Sequence, residues 1–263
     1  MPSFQKSILR AFDIPEYCSV TKFKKMIQSK ILTVIILVSL LGFSTQTFSY
    51  PNKNKMENTT RELIGLLVTM KAKPGKEQAV IDFLLGGLPL VKDEPDTQSW
   101  YAFQIGDNTF GIFDTFSKDE GRQAHLEGEV AKALLANADD LLVDFEVSVS
   151  IQPVDLLATK LSKGDENKGL LVIMKAKEGK TSEVENFLLS GKKLVNDEPK
   201  TLSWYAIQIN SDTYAIFDTF SEESGRDAHL NGKVAAALVE NAPVILEGFD
   251  TQAIQMIDIL TSK

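Results

Sequence analysis

The chain has one cysteine, two histidines and two tryptophans in 263 residues, and each scarcity removes a class of chemistry. The cysteine is Cys18, so beyond residue 49 no thiol remains. Disulfides, cysteine metal ligands and thiol redox chemistry are excluded there. The histidines, His125 and His229, stand about a hundred residues apart and do not make a zinc site, so no metal is expected. No G-x-G-x-x-G, G-x-S-x-G or H-E-x-x-H occurs, and Gly121-Arg122 and Gly225-Arg226 lack phosphate-loop spacing. The main apolar run, Ile31–Phe43, has 13 residues, short of the roughly 20 that span a bilayer. Positive charge is scarce after the first 49 residues. These hold six of the 28 basic residues and two of the 36 acidic ones, leaving 22 against 34. So acidic a body repels phosphate backbones, and no nucleic-acid partner is expected.

What is present begins with an export pattern. Lys22, Lys24, Lys25 and Lys30 precede the apolar run, and small residues follow it, with Thr47-Phe48-Ser49 offering a cleavage site before Tyr50. Residues 1–49 therefore read as a signal peptide, with Met26 as an alternative start, and the protein as periplasmic or secreted. An uncleaved anchor formed by 31–43 is the alternative. Residues 50–62 read as a linker, and Asn58-Thr59-Thr60 matches a short glycosylation pattern.

The remainder repeats itself at an offset of 104 residues. Gly65-Leu-Leu-Val-Thr-Met-Lys-Ala-Lys73 returns as Gly169-Leu-Leu-Val-Ile-Met-Lys-Ala-Lys177, and Asp93-Glu-Pro95 as Asp197-Glu-Pro199. Ser99-Trp-Tyr-Ala102, Ile112-Phe-Asp-Thr-Phe-Ser117 and Ala124-His-Leu126 each return likewise, and about 60% of positions match over 65–145. A period of this length means two whole domains rather than a solenoid. We read repeat one as 63–161, a flexible linker over 162–168, and repeat two as 169–263.

Each repeat has the same local pattern. In repeat one, Leu66–Ala72 reads as a strand and Pro74-Gly75 as a turn. Val80, Phe83, Leu84, Leu88 and Val91 recur at helical spacing over about 76–92. Pro95 disfavours helix in the residue before it and ends that element. Ser99–Ile105 and Thr109–Phe116 form a hairpin around Gly106-Asp107-Asn108. Ser117-Lys-Asp-Glu120 has the form of a capping box, opening a second helix to about Ala138 with a break at Gly128. Val147–Leu157 reads as a fourth strand. The fold class is therefore α+β, with tandem ferredoxin-like βαββαβ repeats.

The strands are apolar on both faces. Leu66, Val68 and Met70 alternate with Leu67, while Phe110, Ile112 and Phe116 alternate with Phe113. A sheet covered on both sides needs a second partner besides its helices. The other repeat supplies it, giving two facing sheets in an intramolecular dimeric α+β barrel, with cavities between them as natural ligand sites.

The pattern strand, Lys-Pro-Gly-Lys, helix, Glu-Pro, strand, Phe-Asp-x-Phe, helix with Ala-His-Leu resembles the antibiotic biosynthesis monooxygenase family, over about 65–160 and again over 169–260. The resemblance implies dimeric α+β barrels. It also implies a range of chemistry that includes cofactor-free quinol and polyketide oxygenases and haem-degrading relatives. In that family a helix histidine often borders the cavity, which matches His125 and His229. The haem-degrading relatives add an asparagine on the first strand, where this chain has Thr69 and Ile173.

The candidate catalytic residues are thus His125 and His229, each as a base removing a phenolic proton, with a locally bonded helix histidine as the bland alternative. Trp100, Tyr101, Trp204 and Tyr205 are candidates for stacking on a flat substrate. Adjacent strand residues face opposite ways, so one of each pair faces the other sheet. Asp114 and Asp218 sit mid-strand among apolar residues and need partners, for which Arg122 and Arg226 are candidates. The reading is a cofactor-independent monooxygenase acting on a small aromatic or quinol. The alternative is a non-catalytic exported protein that binds a small apolar molecule. A further pairing between two chains is left open.

Overall fold

In repeat one, β1 (Ile64–Lys71), α1 (Glu77–Lys92), β2 (Thr97–Ile105) and β3 (Thr109–Phe116) are followed by α2 (Asp119–Leu126), α3 (Glu129–Leu141), α4 (Val147–Ser150) and β4 (Ile151–Leu161). Repeat two runs β5 (Lys168–Lys175), α5 (Thr181–Asn196), β6 (Thr201–Gln208), β7 (Thr213–Phe220), α6 (Glu223–Leu230), α7 (Lys233–Ile245) and β8 (Ile254–Ser262). The structure, a computed structural model, describes residues 64–250 and 253–263. The segment read as a signal peptide, Cys18, the expected cleavage point at Ser49, the expected linker over 50–62 and the pattern at Asn58 lie outside the described residues. Among the described residues no helix is long and apolar enough to cross a membrane.

The eight strands close into an antiparallel barrel in the order β1-β3-β2-β8-β5-β7-β6-β4. Each repeat sends its last strand to the other: β4 pairs with β1 of its own repeat and β6 of the next, and β8 pairs with β5 and β2. Closure leaves no sheet edge exposed. Since every neighbour is antiparallel, strands four places apart run the same way, so equivalent residues of the two repeats lie at the same end of the barrel.

The two apolar faces of the strands are the two sides of this wall. Val172, Met174, Trp204, Ala206, Tyr214 and Ile216 pack outward against α5 and α7. Leu67, Leu171, Tyr101, Tyr205, Phe113 and Phe217 point into the lumen. The entry to each first helix is set by a glycine in the left-handed region, Gly75 at φ 80° and Gly179 at φ 73°, where a side chain would be strained.

Three local readings are corrected. The fourth strand of repeat one begins at Ile151, because Val147–Ser150 make a helical turn. It runs on to Leu161, because its far half pairs with β6 across the seam between repeats. The capping box does not form: α2 begins at Asp119 behind an extended Lys118 with no side-chain cap, and Asp119 pairs with Arg122 at 2.5 Å. The segment 162–168 is pinned rather than free. Ser162 N–H donates to Leu202 O, Asn167 N–H to Phe220 O, and Ile259 N–H to Asn167 O.

Candidate functional site

The helix–sheet side of each repeat holds a buried histidine between two carboxylates. His125 lies in the last turn of α2, under the turn after α1 and over β3. Its Nδ1 is 2.6 Å from Glu94 Oε2, and its Nε2 is 3.1 Å from Asp114 Oδ2. Thr97 Oγ1 donates to the same Glu94 oxygen at 2.7 Å. Repeat two has the same arrangement, with His229 Nδ1 2.6 Å from Glu198 Oε2 and Nε2 3.3 Å from Asp218 Oδ2. Thr201 Oγ1 donates to Glu198 at 3.0 Å. The imidazole rings are 6% and 5% exposed and the aspartates 1%. The aspartate contacts are close ion pairs rather than well-aligned hydrogen bonds, since no donor points squarely at Asp114 or Asp218.

This geometry fixes the charge. Burial alone would push the His125 proton off, but the Asp114 charge and then Glu94 overrule it and raise its pKa to about 10. His229 is raised by Asp218 and Glu198 against the same burial penalty. Burial raises Asp114, and raises Asp218 to about 6, in both cases against the histidine opposite. Glu94 and Glu198 are lowered: burial would raise them, and the bonds to His125 and His229 outweigh it. At neutral pH the His125 ring is therefore an imidazolium with no lone pair with which to accept a proton, and the two carboxylates around His229 bias that ring in the same direction.

The other predicted residues divide by face. Trp100 and Trp204 are fully buried beneath the helices, their rings against Gly87 and Gly191. Tyr101 and Tyr205 point into the lumen, where their hydroxyls meet at 3.1 Å. Tyr101 OH also lies 3.1 Å from Ser203 Oγ, and Tyr205 OH donates to Ser99 Oγ at 3.1 Å. The expected pairing of Asp114 and Asp218 with arginine is corrected. Arg122 bonds Asp119, while Arg226 bonds Glu223 and donates to the carbonyls of Gly169 and Ile257. The histidine, three residues after the arginine on the same helix, reaches the aspartate instead.

The lumen between the sheets, expected to hold cavities, is filled at its centre. Phe217 lies 4.8 Å from Phe113, 5.2 Å from Tyr101 and 5.5 Å from Phe103, centroid to centroid, and Phe113 lies 4.9 Å from Tyr205. Gly111 makes room for this: a Cβ there would come within 2.3 Å of the Phe103 ring. In repeat two the pair is Ala215 with Ile207, a larger strand residue facing a smaller neighbour. On the helix side of repeat one, Met70, Val80, Phe83, Leu134 and Leu142, with Asn137, border an apolar seam too narrow for a water molecule.

Sequence reasoning missed two sets of residues. In the sequence Glu94 and Glu198 are visible only as part of the repeated Asp-Glu-Pro, which reads as a helix stop. The lysines ending the fourth strands were not singled out. Lys160 Nζ donates to Val195 O at 2.9 Å and Glu198 O at 2.6 Å, and Lys263 Nζ to Val91 O at 2.8 Å and Glu94 O at 2.5 Å. Each repeat thus caps the first helix of the other, beside the other's histidine clamp. Lys160→Met is expected to cost about 1–2 kcal/mol, since charged hydrogen bonds to two carbonyls are lost from a part-buried site. The midpoint of urea unfolding measures it.

A closed eight-stranded antiparallel barrel with paired helices outside, built from two ferredoxin-like repeats, defines a dimeric-type α+β barrel within one chain. The solved structures agree on the fold. A proposed monooxygenase from Fusobacterium nucleatum superposes with TM-score 0.67 at 12% identity, covering 78% of this chain and 95% of that one. A proposed monooxygenase from Lactobacillus acidophilus gives 0.64 at 10%, covering 77% and 96%. The chain belongs to the same family as a Nitrosomonas europaea protein of unknown function. It shares 45% identity with that protein over all of that chain and 40% of this one, with TM-score 0.37. No protein-family model matches the chain, and no curated protein matches it.

Proposed function

We propose that this chain is an exported small-molecule-binding protein built on the monooxygenase-like barrel, and that it does not use His125 or His229 as a base. The observation that carries the reading is the carboxylate clamp. A ring held as imidazolium between two carboxylates cannot take the phenolic proton that cofactor-free oxygenation requires. The lumen centre is occupied by rings, so the reading assigns a flat apolar ligand to the helix–sheet seam of repeat one, which is closed to water until the helices move. Entry there requires α1 and α3 to part, with Phe83 and Leu134 moving aside.

The test is a panel of quinols, catechols and polycyclic phenols, read for oxygen uptake and for thermal shift. The expected result is no uptake, with stabilisation by at least one compound. Ala138→Leu, which fills the seam, is expected to remove that stabilisation. Uptake without added cofactor would overturn the binding reading. It would support the second one, a cofactor-independent monooxygenase, which is favoured by the fold shared with two proteins proposed to be monooxygenases.

A further inference from the structure

The two lumen tyrosines meet across the seam between the repeats. Tyr101 on β2 and Tyr205 on β6 stand four strands apart in the closed barrel, and both are buried, at 3% and 0% exposure. Their hydroxyls lie 3.1 Å apart, and their rings cross at 73° with centroids separated by 6.0 Å. Phe113 and Phe217 hold both rings, with centroids 4.9 and 6.2 Å from Tyr205 and 6.2 and 5.2 Å from Tyr101. In an o,o′-biphenol the two hydroxyls lie side by side across the bond that joins the rings. Hydroxyl contact between crossed rings is therefore the reactant face of that product. The pair also has a proton exit. Ser203 Oγ gives its one proton to Glu166 Oε1 at 2.6 Å, so towards Tyr101 OH, 3.1 Å away, it is an acceptor. Thr219 Oγ1 donates to the same Glu166 oxygen at 2.7 Å and holds the carboxylate in place. Glu166 is half-buried, which puts the far end of this path within reach of solvent.

We propose that Tyr101 and Tyr205 are the site of an oxidative cross-link, an o,o′-dityrosine formed by two equivalents of a one-electron oxidant, that ties repeat one to repeat two. The first equivalent takes an electron from Tyr101, whose proton moves to Ser203 as the Ser203 proton moves to Glu166. The Tyr101 radical then exchanges a hydrogen atom with Tyr205 across the 3.1 Å contact. The second electron and second proton therefore leave through Tyr101 by the same path. The two radicals join through the ring carbons next to their hydroxyls, and the hydrogens on those carbons pass to the oxygens as protons. Both hydroxyls are restored, one C–C bond has formed, and two protons and two electrons have left. The chain has no cysteine beyond Cys18 with which a disulfide could make this tie.

The experiment oxidises the full chain with a photogenerated ruthenium(III) tris-bipyridyl complex, an outer-sphere oxidant that need not enter the lumen. Mass, cross-linked peptides and thermal midpoint are read. The expected product is a monomer that has lost two hydrogens, shows dityrosine fluorescence and yields a peptide pair joining Tyr101 to Tyr205. A link between residues 104 apart restricts the unfolded chain, so the midpoint is expected to rise by about 10 °C. Tyr101→Phe and Tyr205→Phe, which keep the ring, are expected to abolish the product, and Glu166→Gln to lower its yield several-fold. The absence of an intramolecular link in the unsubstituted chain would overturn the proposal. So would a link through Tyr17, Tyr50 or Tyr214 that survives in Tyr101→Phe. An equal yield in Glu166→Gln would overturn Glu166 as the proton acceptor. The unsubstituted chain decides the main point, so variant folding does not limit the test.

Discussion

Replacing His125 by leucine is expected to lower stability by about 3–5 kcal/mol, roughly 10 °C in thermal midpoint. The cost comes less from the lost contacts than from what remains. Asp114 is 1% exposed and faces His125 as its countercharge, so the variant strands a carboxylate in an apolar wall. Adding Asp114→Asn to His125→Leu removes that charge and is expected to recover part of the loss. This non-additivity separates a clamp from two independent contacts. The pH profile gives a second reading. The unfolded histidine releases its proton near 6.5, and the folded one holds it to about 10. Between those values the folded state carries the extra proton, so stability is greatest below 6.5 and falls as pH rises towards 10. The slope is up to about 1.4 kcal/mol per unit for each clamped ring. In acid, Glu94 and Glu198 have lowered values, so their contribution is present above the ordinary glutamate range and fades as pH drops through it. Asp114 and Asp218, being raised, work the other way and blunt that acid loss. His125→Leu should flatten the alkaline limb without abolishing it, because His229 is raised as well and keeps its own share.

How far the sequence carries can be seen at Trp100 and Tyr101. Alternation requires that they face opposite ways, and the doubled apolar faces require a barrel. Neither says which residue looks inward. That is decided by Gly87, which leaves room beneath α1 for an indole, and by the partner sheet, which offers Ser203 to a phenol hydroxyl. Both are contacts between elements distant in the chain. The same holds for Asp114. Burial demands a countercharge, and the i+8 arginine at Arg122 is the nearest candidate in sequence. On α2, however, the arginine turns to Asp119 on its own helix, and the histidine three residues later meets the strand carboxylate. Glu94 escaped notice because a helix stop accounts fully for Glu-Pro in sequence. Its second duty, holding His125, exists only once α2 is laid beside that turn. The linker was misread for a related reason: Ser162–Lys168 has the composition of a flexible segment, yet Glu166 finds two hydroxyls in the barrel end, and that pairing fixes it.

Phe217→Ala is expected to be the most damaging change in the lumen, costing about 3–5 kcal/mol. Its ring is fully buried and touches Tyr101, Phe103, Phe113 and Tyr205, which belong to both repeats. The surrounding strands are tied on both sides by closed-barrel pairing and cannot collapse inward, so most of the removed volume should persist as a cavity. Two consequences can be measured. Thermal unfolding should remain a single transition at a lower midpoint, because the lost contacts span the two repeats rather than loosening one. A split transition would mean that the repeats hold separate cores. Benzene or phenol should then stabilise Phe217→Ala by more than the unsubstituted chain, since an apolar void of this kind stays dry and accepts small aromatic molecules. If the unsubstituted chain responds equally, the lumen already admits such molecules, and the seat for a ligand moves from the helix–sheet seam to the space between the sheets.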